Sequence, residues 1–291
     1  MTVTVLTCAT SEDGYYPSLV ASCKKYGYKL VTVGMGMEWK GFTWSQTVLL
    51  EGINQIASED KSGEDALLIV VDGYDTIMTM PSFLCEMKYL SIGRDSVLVC
   101  EEHPSSQNHT FLFRTILLPL VRWYFSTDRV LNSGVVMGRA SSLRSYFHYV
   151  SRRSSLVGDD DERALNILYR EWSLPPSSTS SPPFPILVTN SIFECVCNRN
   201  VPSLSLQCMF RPYRITGADL SKGEREEVAV LHGIWNSDMD DLCLAKGLPL
   251  PKRRKSISQK DLSLLTKCRW IFAASFVYLL VNGSLKKMEA V

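Results

Sequence analysis

An α/β domain on a mainly parallel sheet is the fold class the sequence predicts, and three observations predict it. Short, nearly all-apolar β-rich runs recur, as in strands covered on both faces. Stretches with apolar residues at helical spacing separate them, and the connections are short. VTVLTCA (3–9) is the first strand and YPSLVASCKKY (about 16–26) the first helix. YKLVTVG (28–34) is the second strand, followed by the helical TWSQTVLLEGINQIA (43–57) and the polar loop SEDKSGED. The strand at 67–71 runs into DGYD, a helix follows at about 81–90, and DSVLVC (95–100) is the next strand.

Further along, RVLNSGVVMGRASSLRSYFHYV (129–150) predicts a tight Asn-Ser-Gly turn, a short strand and a helix. GDDDERALNILYREW (158–172) is an acidic first turn feeding an amphipathic helix, the polarity a helix dipole favours. SLPPSSTSSPPFP (173–185) predicts an irregular loop. EEVAVLHGIWN (226–236) is a strand ending at His232-Gly233. The first domain is therefore expected to cover residues 1–245. Residues 246–291 form a basic linker, KGLPLPKRRKS, and a short hydrophobic segment, CRWIFAASFVYLLVNG. The apolar core of that segment, Trp270 to Val281, is shorter than the roughly 20 residues a spanning helix needs. It is either a membrane contact through 269–283 or a helix packed on the domain. The opening MTVTVLTCAT has neither a basic leader nor a long apolar run, so it predicts a core strand and no signal peptide. The expected location is cytoplasmic, or membrane-associated through the C-terminal segment.

The 291 residues carry a formal net charge of +1, which leaves no overall electrostatic footprint for nucleic acid. Nine scattered cysteines, mostly inside apolar runs, fit buried thiols better than a disulfide framework. Cys195-Val-Cys197 has no second pair nearby, which argues against zinc.

Chemistry concentrates at the carboxyl ends of the strands, where sheets of this kind bind ligands. Asp72 and Asp75 close a buried strand there, and His232 follows another. Two carboxylates suit Mg2+ or Mn2+, and an imidazole moves the preference toward Mn2+. Such an ion can bridge nucleotide phosphates and stabilise a diphosphate leaving group. The competing reading of the same residues is an ordinary polar strand exit and a turn histidine.

The order of segments resembles the glycosyltransferase domain of the procollagen lysyl hydroxylase/glycosyltransferase (PLOD-type) family. TVLTCATSEDGYYPSLVASCKKYGYKLVTVGMGMEWKG matches that family's opening strand, helix, strand and G-L-G-x-x-W segment. QTVLLEGI is similar to its Q-K-V-x-x-L helix, and LLIVVDGYDTIM to its FVDSYDVI metal-binding motif. SVLVCEEHP, RVLNSGVVMGRA, DDDERALNILY, SIFECV and VAVLHGIWN follow in the family's order.

The resemblance implies a GT-A fold that transfers glucose or galactose from a UDP-sugar with Mn2+ (or Mg2+) to a hydroxyl-bearing acceptor, hydroxylysine of a collagen-like protein or another. It implies Asp72, Asp75 and His232 as metal ligands, with Asp72 also at the donor. Thr7 and Cys8 would line the uridine, Trp39 would lie beside the base, and Gln46, Asn132, Ser133 and Gly134 would be near the donor. Asp159, Asp160 and Asp161 would face sugar and acceptor as the catalytic group; their alternative is a helix cap and first turn. Departures from the family stand at Thr47, His103 and Leu187, and after Gly233, where IWNSD lacks the expected basic residue. A non-catalytic nucleotide-sugar-binding or scaffold protein that retains the fold is the alternative function.

Overall fold

The computed structural model describes residues 3–59, 61–93, 95–101, 131–173, 184–196, 228–233 and 239–251. The chain divides into two units, 1–253 and 254–291, and every described residue lies in the first. Outside the described residues lie His103, most of the Pro/Ser-rich loop, Cys197, the IWNSD stretch after Gly233, the KRRK cluster and the apolar segment at 269–283. Among the described residues no helix is long and apolar enough to cross a membrane.

Among the described residues six strands form the main sheet: β1 (Thr4–Cys8), β2 (Lys29–Val33), β3 (Leu67–Asp72), β5 (Val97–Glu101), β6 (Leu131–Arg139) and β7 (Ile186–Val188). Their order is β2-β1-β3-β6-β5-β7. Pairings β1–β2, β1–β3 and β5–β7 are parallel, while β6 runs antiparallel to both neighbours. Only β6 therefore opposes the common direction, and the expected mainly parallel mixed sheet is what forms. The central strands β1 and β3 are buried until their last residue, which is why their sequences read as continuous apolar runs.

Alternate residues of these strands sort onto two faces. Val5, Ile69, Val71, Val135 and Met137 join one core cluster with Leu19 and Cys23 of α1 (Tyr16–Tyr26) and Cys85 and Tyr89 of α3 (Ser82–Ile92). Leu6, Leu68, Val70, Val99 and Val136 join the other. That face is covered by α2 (Phe42–Glu59), α4 (Ala140–Leu156) and α5 (Asp161–Ser173). Helix α1 starts with a proline in its first turn and stops at Gly27, whose left-handed φ of 75° lets its N–H reach Cys23 O.

A smaller sheet has the order β4-β9-β8, from β4 (Thr76–Met78), β8 (Phe193–Val196) and β9 (Val230–Gly233). Strand β4 begins directly after Asp75 and pairs antiparallel with β9, Thr76 opposite His232. The short helix α6 (Asp240–Ala245) packs Leu242 and Cys243 against Ile77 and Leu231. Leu248 is buried there too, and Pro249 O accepts a hydrogen bond from Ser18 Oγ at 2.6 Å. The domain's packing thus runs a few residues past the compositional change at about 245.

One local expectation is corrected. Asn-Ser-Gly at 132–134 is not a turn ahead of a strand; it lies inside β6. Val99 pairs with Val136 but Cys100 pairs with Asn132, so Ser133, Gly134 and Val135 bulge out of the β5 ladder. Asn132 Oδ1 accepts the Gly134 N–H at 2.9 Å and holds the bulge closed.

Candidate functional site

The DGYD loop leaves β3 at the carboxyl edge of the sheet, and the β4–β9 pairing folds His232 back against it. Gly233 N–H donates to Asp75 O at 2.7 Å, locking that register. His232 Nε2 lies 3.4 Å from Asp72 Oδ2 and 3.3 Å from Asp75 Oδ1. One ligand atom from each of the three residues falls within 4.8 Å of the others. His232 is buried, Asp75 partly buried and Asp72 open to solvent, so the cluster has a protein side and an accessible side.

Tyr74, inside the loop, ties it to the exit of β1: its hydroxyl oxygen accepts N–H bonds from Thr10 at 2.8 Å and Ser11 at 3.2 Å. Gly134 forms the floor. A Cβ there would stand 2.3 Å from His232 Cε1 and 2.5 Å from Asp72 Oδ2, so only glycine lets the histidine and aspartate meet above the bulge.

Two atoms test whether a cation fits. Asp75 Oδ1 and His232 Nε2 are both buried, and their 3.3 Å contact with each other lacks hydrogen-bond geometry, a costly condition unless a further group satisfies them. Burial disfavours charge on His232, yet Asp75 and then Asp72 outweigh it and hold the imidazole well above its ordinary pKa. Burial also raises the Asp75 carboxyl, against the lowering effect of His232. A proton on the imidazole thus provides the positive charge that the carboxylates favour. A divalent ion ligated by two oxygens and one nitrogen fits the donor set and would release that proton on binding.

A cleft opens beside the cluster, lined by Cys8, Trp39, Gln46, Asp72, Ser133 and Asp161 among others. Trp39 is 46% exposed and lies at near-right angles to Phe42 and Trp44. Burial first, and then Asp72, raises the Cys8 thiol to about 11, which keeps it neutral. Asp161 shares the cleft with Ser133 and Gln46. Burial, reinforced by the Asp72 charge, raises its carboxyl to about 6 in spite of the lowering effect of those two side chains.

The three consecutive aspartates do three different things. Asp159 has a left-handed φ of 62° and turns its carboxylate to the start of α2, accepting N–H bonds from Phe42 at 3.0 Å and Thr43 at 2.6 Å. Those bonds hold its carboxyl below the usual range. Asp160 caps α5, accepting the Arg163 N–H at 2.8 Å. Of the three, Asp161 alone lines the cleft.

Two donor-site expectations also shift. Thr7 is fully buried and donates its hydroxyl to Val71 O at 2.8 Å, so it serves the sheet. Asn132 shapes the bulge and does not line the cleft. Of the departures, Thr47 is exposed and back-bonds to Thr43 O at 3.0 Å, and Leu187 lies on β7 with 37% exposure. Cys195 has a place that residue reading missed: its Sγ sits 4.0 Å from His232 Nδ1 and 3.3 Å from Cys100 Sγ. The signal for it lay in SIFECV, a run of strand character four of whose residues precede the cysteine.

The family model of the PLOD GT domain matches residues 1–165. The multifunctional procollagen lysine hydroxylase and glycosyltransferase LH3 of Rattus norvegicus is 25% identical over 179 residues, covering 59% of this chain and 22% of that protein. Its Homo sapiens counterpart is 25% identical over 169 residues, covering 55% and 21%. The chain thus spans about a fifth of the length of these relatives. Among solved structures, a glycosyltransferase involved in the glycosylation of the major capsid of PBCV-1 superposes with a TM-score of 0.42 and 15% identity, over 67% of this chain and 86% of that one.

Proposed function

The chain belongs to the family of PLOD glycosyltransferase domains, and from that premise we propose that it is a divalent-metal-dependent hexosyltransferase moving glucose or galactose from a UDP-sugar to an acceptor hydroxyl. The observation that carries this reading is the convergence of Asp72, Asp75 and His232 beside a cleft that also holds Asp161.

Mn2+, with Mg2+ as the alternative, would be held by those three side chains and would stabilise the diphosphate of the departing UDP. Trp39, half exposed at the cleft, would lie beside the uracil, with the neutral Cys8 thiol in the same lining. Ser133 and Gln46 line the cleft with the Asp161 carboxylate. With its pKa at about 6, Asp161 is mostly ionised at neutral pH yet still basic enough to take a proton from an acceptor hydroxyl. The acceptor class follows the relatives' name: a hydroxylysine-type hydroxyl on a collagen-like protein, with other hydroxyl-bearing proteins or glycans as alternatives.

A second reading has its own observation. The stretch after Gly233, IWNSD, contains no lysine or arginine to meet a diphosphate, which favours a nucleotide-sugar-binding protein that keeps the fold without turnover. UDP-glucose and UDP-galactose hydrolysis, with and without Mn2+, separates the two in the intact protein and in Asp75→Ala. Mn2+-dependent release of UDP that Asp75→Ala abolishes supports the enzyme. Equal, metal-independent rates in both proteins sink it, and UDP binding without any hydrolysis favours the binding protein.

A further inference from the structure

We propose that Asn166 is a positioning residue that holds Asp161 and Ser133 in register across the cleft, an inference that rests on the glycosyltransferase reading. Asn166 is on α5, five residues after Asp161, and is fully buried. Its neighbours on that helix, Ala164, Leu165 and Leu168, belong to the apolar core. A carboxamide at such a place is costly to bury unless its hydrogen bonds are made. Here three are made. Asn166 Oδ1 accepts the Leu131 N–H at 2.8 Å, and Nδ2 donates to Leu131 O at 2.9 Å and to Glu162 O at 2.8 Å.

The carboxamide therefore binds both polar groups of Leu131 as a neighbouring strand would, on the side away from Glu101, Leu131's partner in β5. Two residues after Leu131 stands Ser133, in the bulge where the β5–β6 ladder loses register. In the same helical turn as Glu162 stands Asp161, which lines the cleft together with Ser133. The first turn of α5 and the start of β6 thus meet twice. The outer meeting, Ser133 with Asp161, faces the cleft. The inner link, Leu131 to Asn166, is buried and fixes where the outer one can form. A leucine at 166 would fill the same core yet leave the Leu131 amide and carbonyl unpaired.

Two variants, Asn166→Leu and Asn166→Ser, test this in the full chain. The expected result is a fall in kcat for UDP-sugar turnover of about 10- to 100-fold, the range seen when a partner that orients a site residue is lost. Mn2+ and UDP affinities should stay within about 2-fold, because Asp72, Asp75, His232 and Trp39 are held by other elements. Hydrogen exchange should accelerate in peptides covering 131–135 and 158–165 and stay unchanged in β1 and β3. Wild-type kcat with unaltered exchange in either folded variant overturns the proposal. So does a parallel loss of Mn2+ affinity, UDP affinity and kcat, which would mark general destabilisation. One arm needs no variant: the wild-type Leu131 amide should be as protected as that of Val136, and fast exchange there also overturns it. If the wild type turns over no UDP-sugar, the enzyme reading fails, while the exchange measurements still decide the positioning role.

Discussion

Two acidic stretches, DGYD at 72–75 and DDD at 159–161, look alike in composition and behave oppositely in space. In the first, two carboxylates three residues apart converge on one imidazole. In the second, three adjacent carboxylates diverge to the start of α2, the cap of α5 and the cleft. The backbone makes the difference. The first pair leaves a strand and curls straight into β4, which is held against His232 by the β4–β9 ladder. The second passes through a left-handed residue, φ 62° at Asp159, and then enters a helix, so successive side chains point different ways. Density of charge in a sequence therefore says little about a site until the path of the chain is known.

The most severe way to break this contrast is Asp75→Ala, expected to weaken Mn2+ binding by more than about 100-fold, beyond what loss of an orienting neighbour causes. Asp159→Ala and Asp160→Ala should leave that affinity unchanged; calorimetric titration of all three variants checks the difference. Next in size is Gly134→Ala, whose Cβ would overlap His232 and Asp72. It should cost about 1–3 kcal/mol of stability by overpacking and should weaken Mn2+ binding as well, read by denaturant unfolding and the same titration.

Asp161 sharpens the contrast through pH. Its folded pKa of about 6 lies above the ordinary 3.8, so folding favours the protonated form. The metal-free protein therefore has the full contribution below pH about 4 and loses it as pH rises through about 6, a cost on the order of 3 kcal/mol at neutrality. In urea unfolding at pH 4, 5.5 and 7, Asp161→Asn should gain steadily on the wild type as pH rises; a constant gap would refute the burial of that charge. The smallest effects belong to the caps. Asp159→Ala should destabilise by about 1–2 kcal/mol and Asp160→Ala by about 1 kcal/mol, each with kcat near wild type.

Much of the sheet was legible, because β1, β3 and β5 are buried on both faces and announce themselves as unbroken apolar runs. The acids at the end of β3 were legible as a candidate ligand site from their place on the carboxyl edge. Strands β4, β7 and β8 were not, being three or four residues long and held by partners distant in sequence. At Ser133 the Asn-Ser-Gly composition suits a turn and a bulge equally, and only the β5 register separates them. Asn166 gave no signal at all, since an asparagine in a helical stretch acquires its meaning from Leu131, 35 residues away.

By itself the sequence determined the fold class, the family and the identity of the acids at the sheet edge, since periodicity and local motif are properties of neighbouring residues. Tertiary structure alone decided that His232 closes on Asp72 and Asp75, that one aspartate of three reaches the cleft, and that Thr7 turns inward. Each of those outcomes depends on a register or a helix end supplied by another part of the chain, and no local pattern encodes where that part will lie.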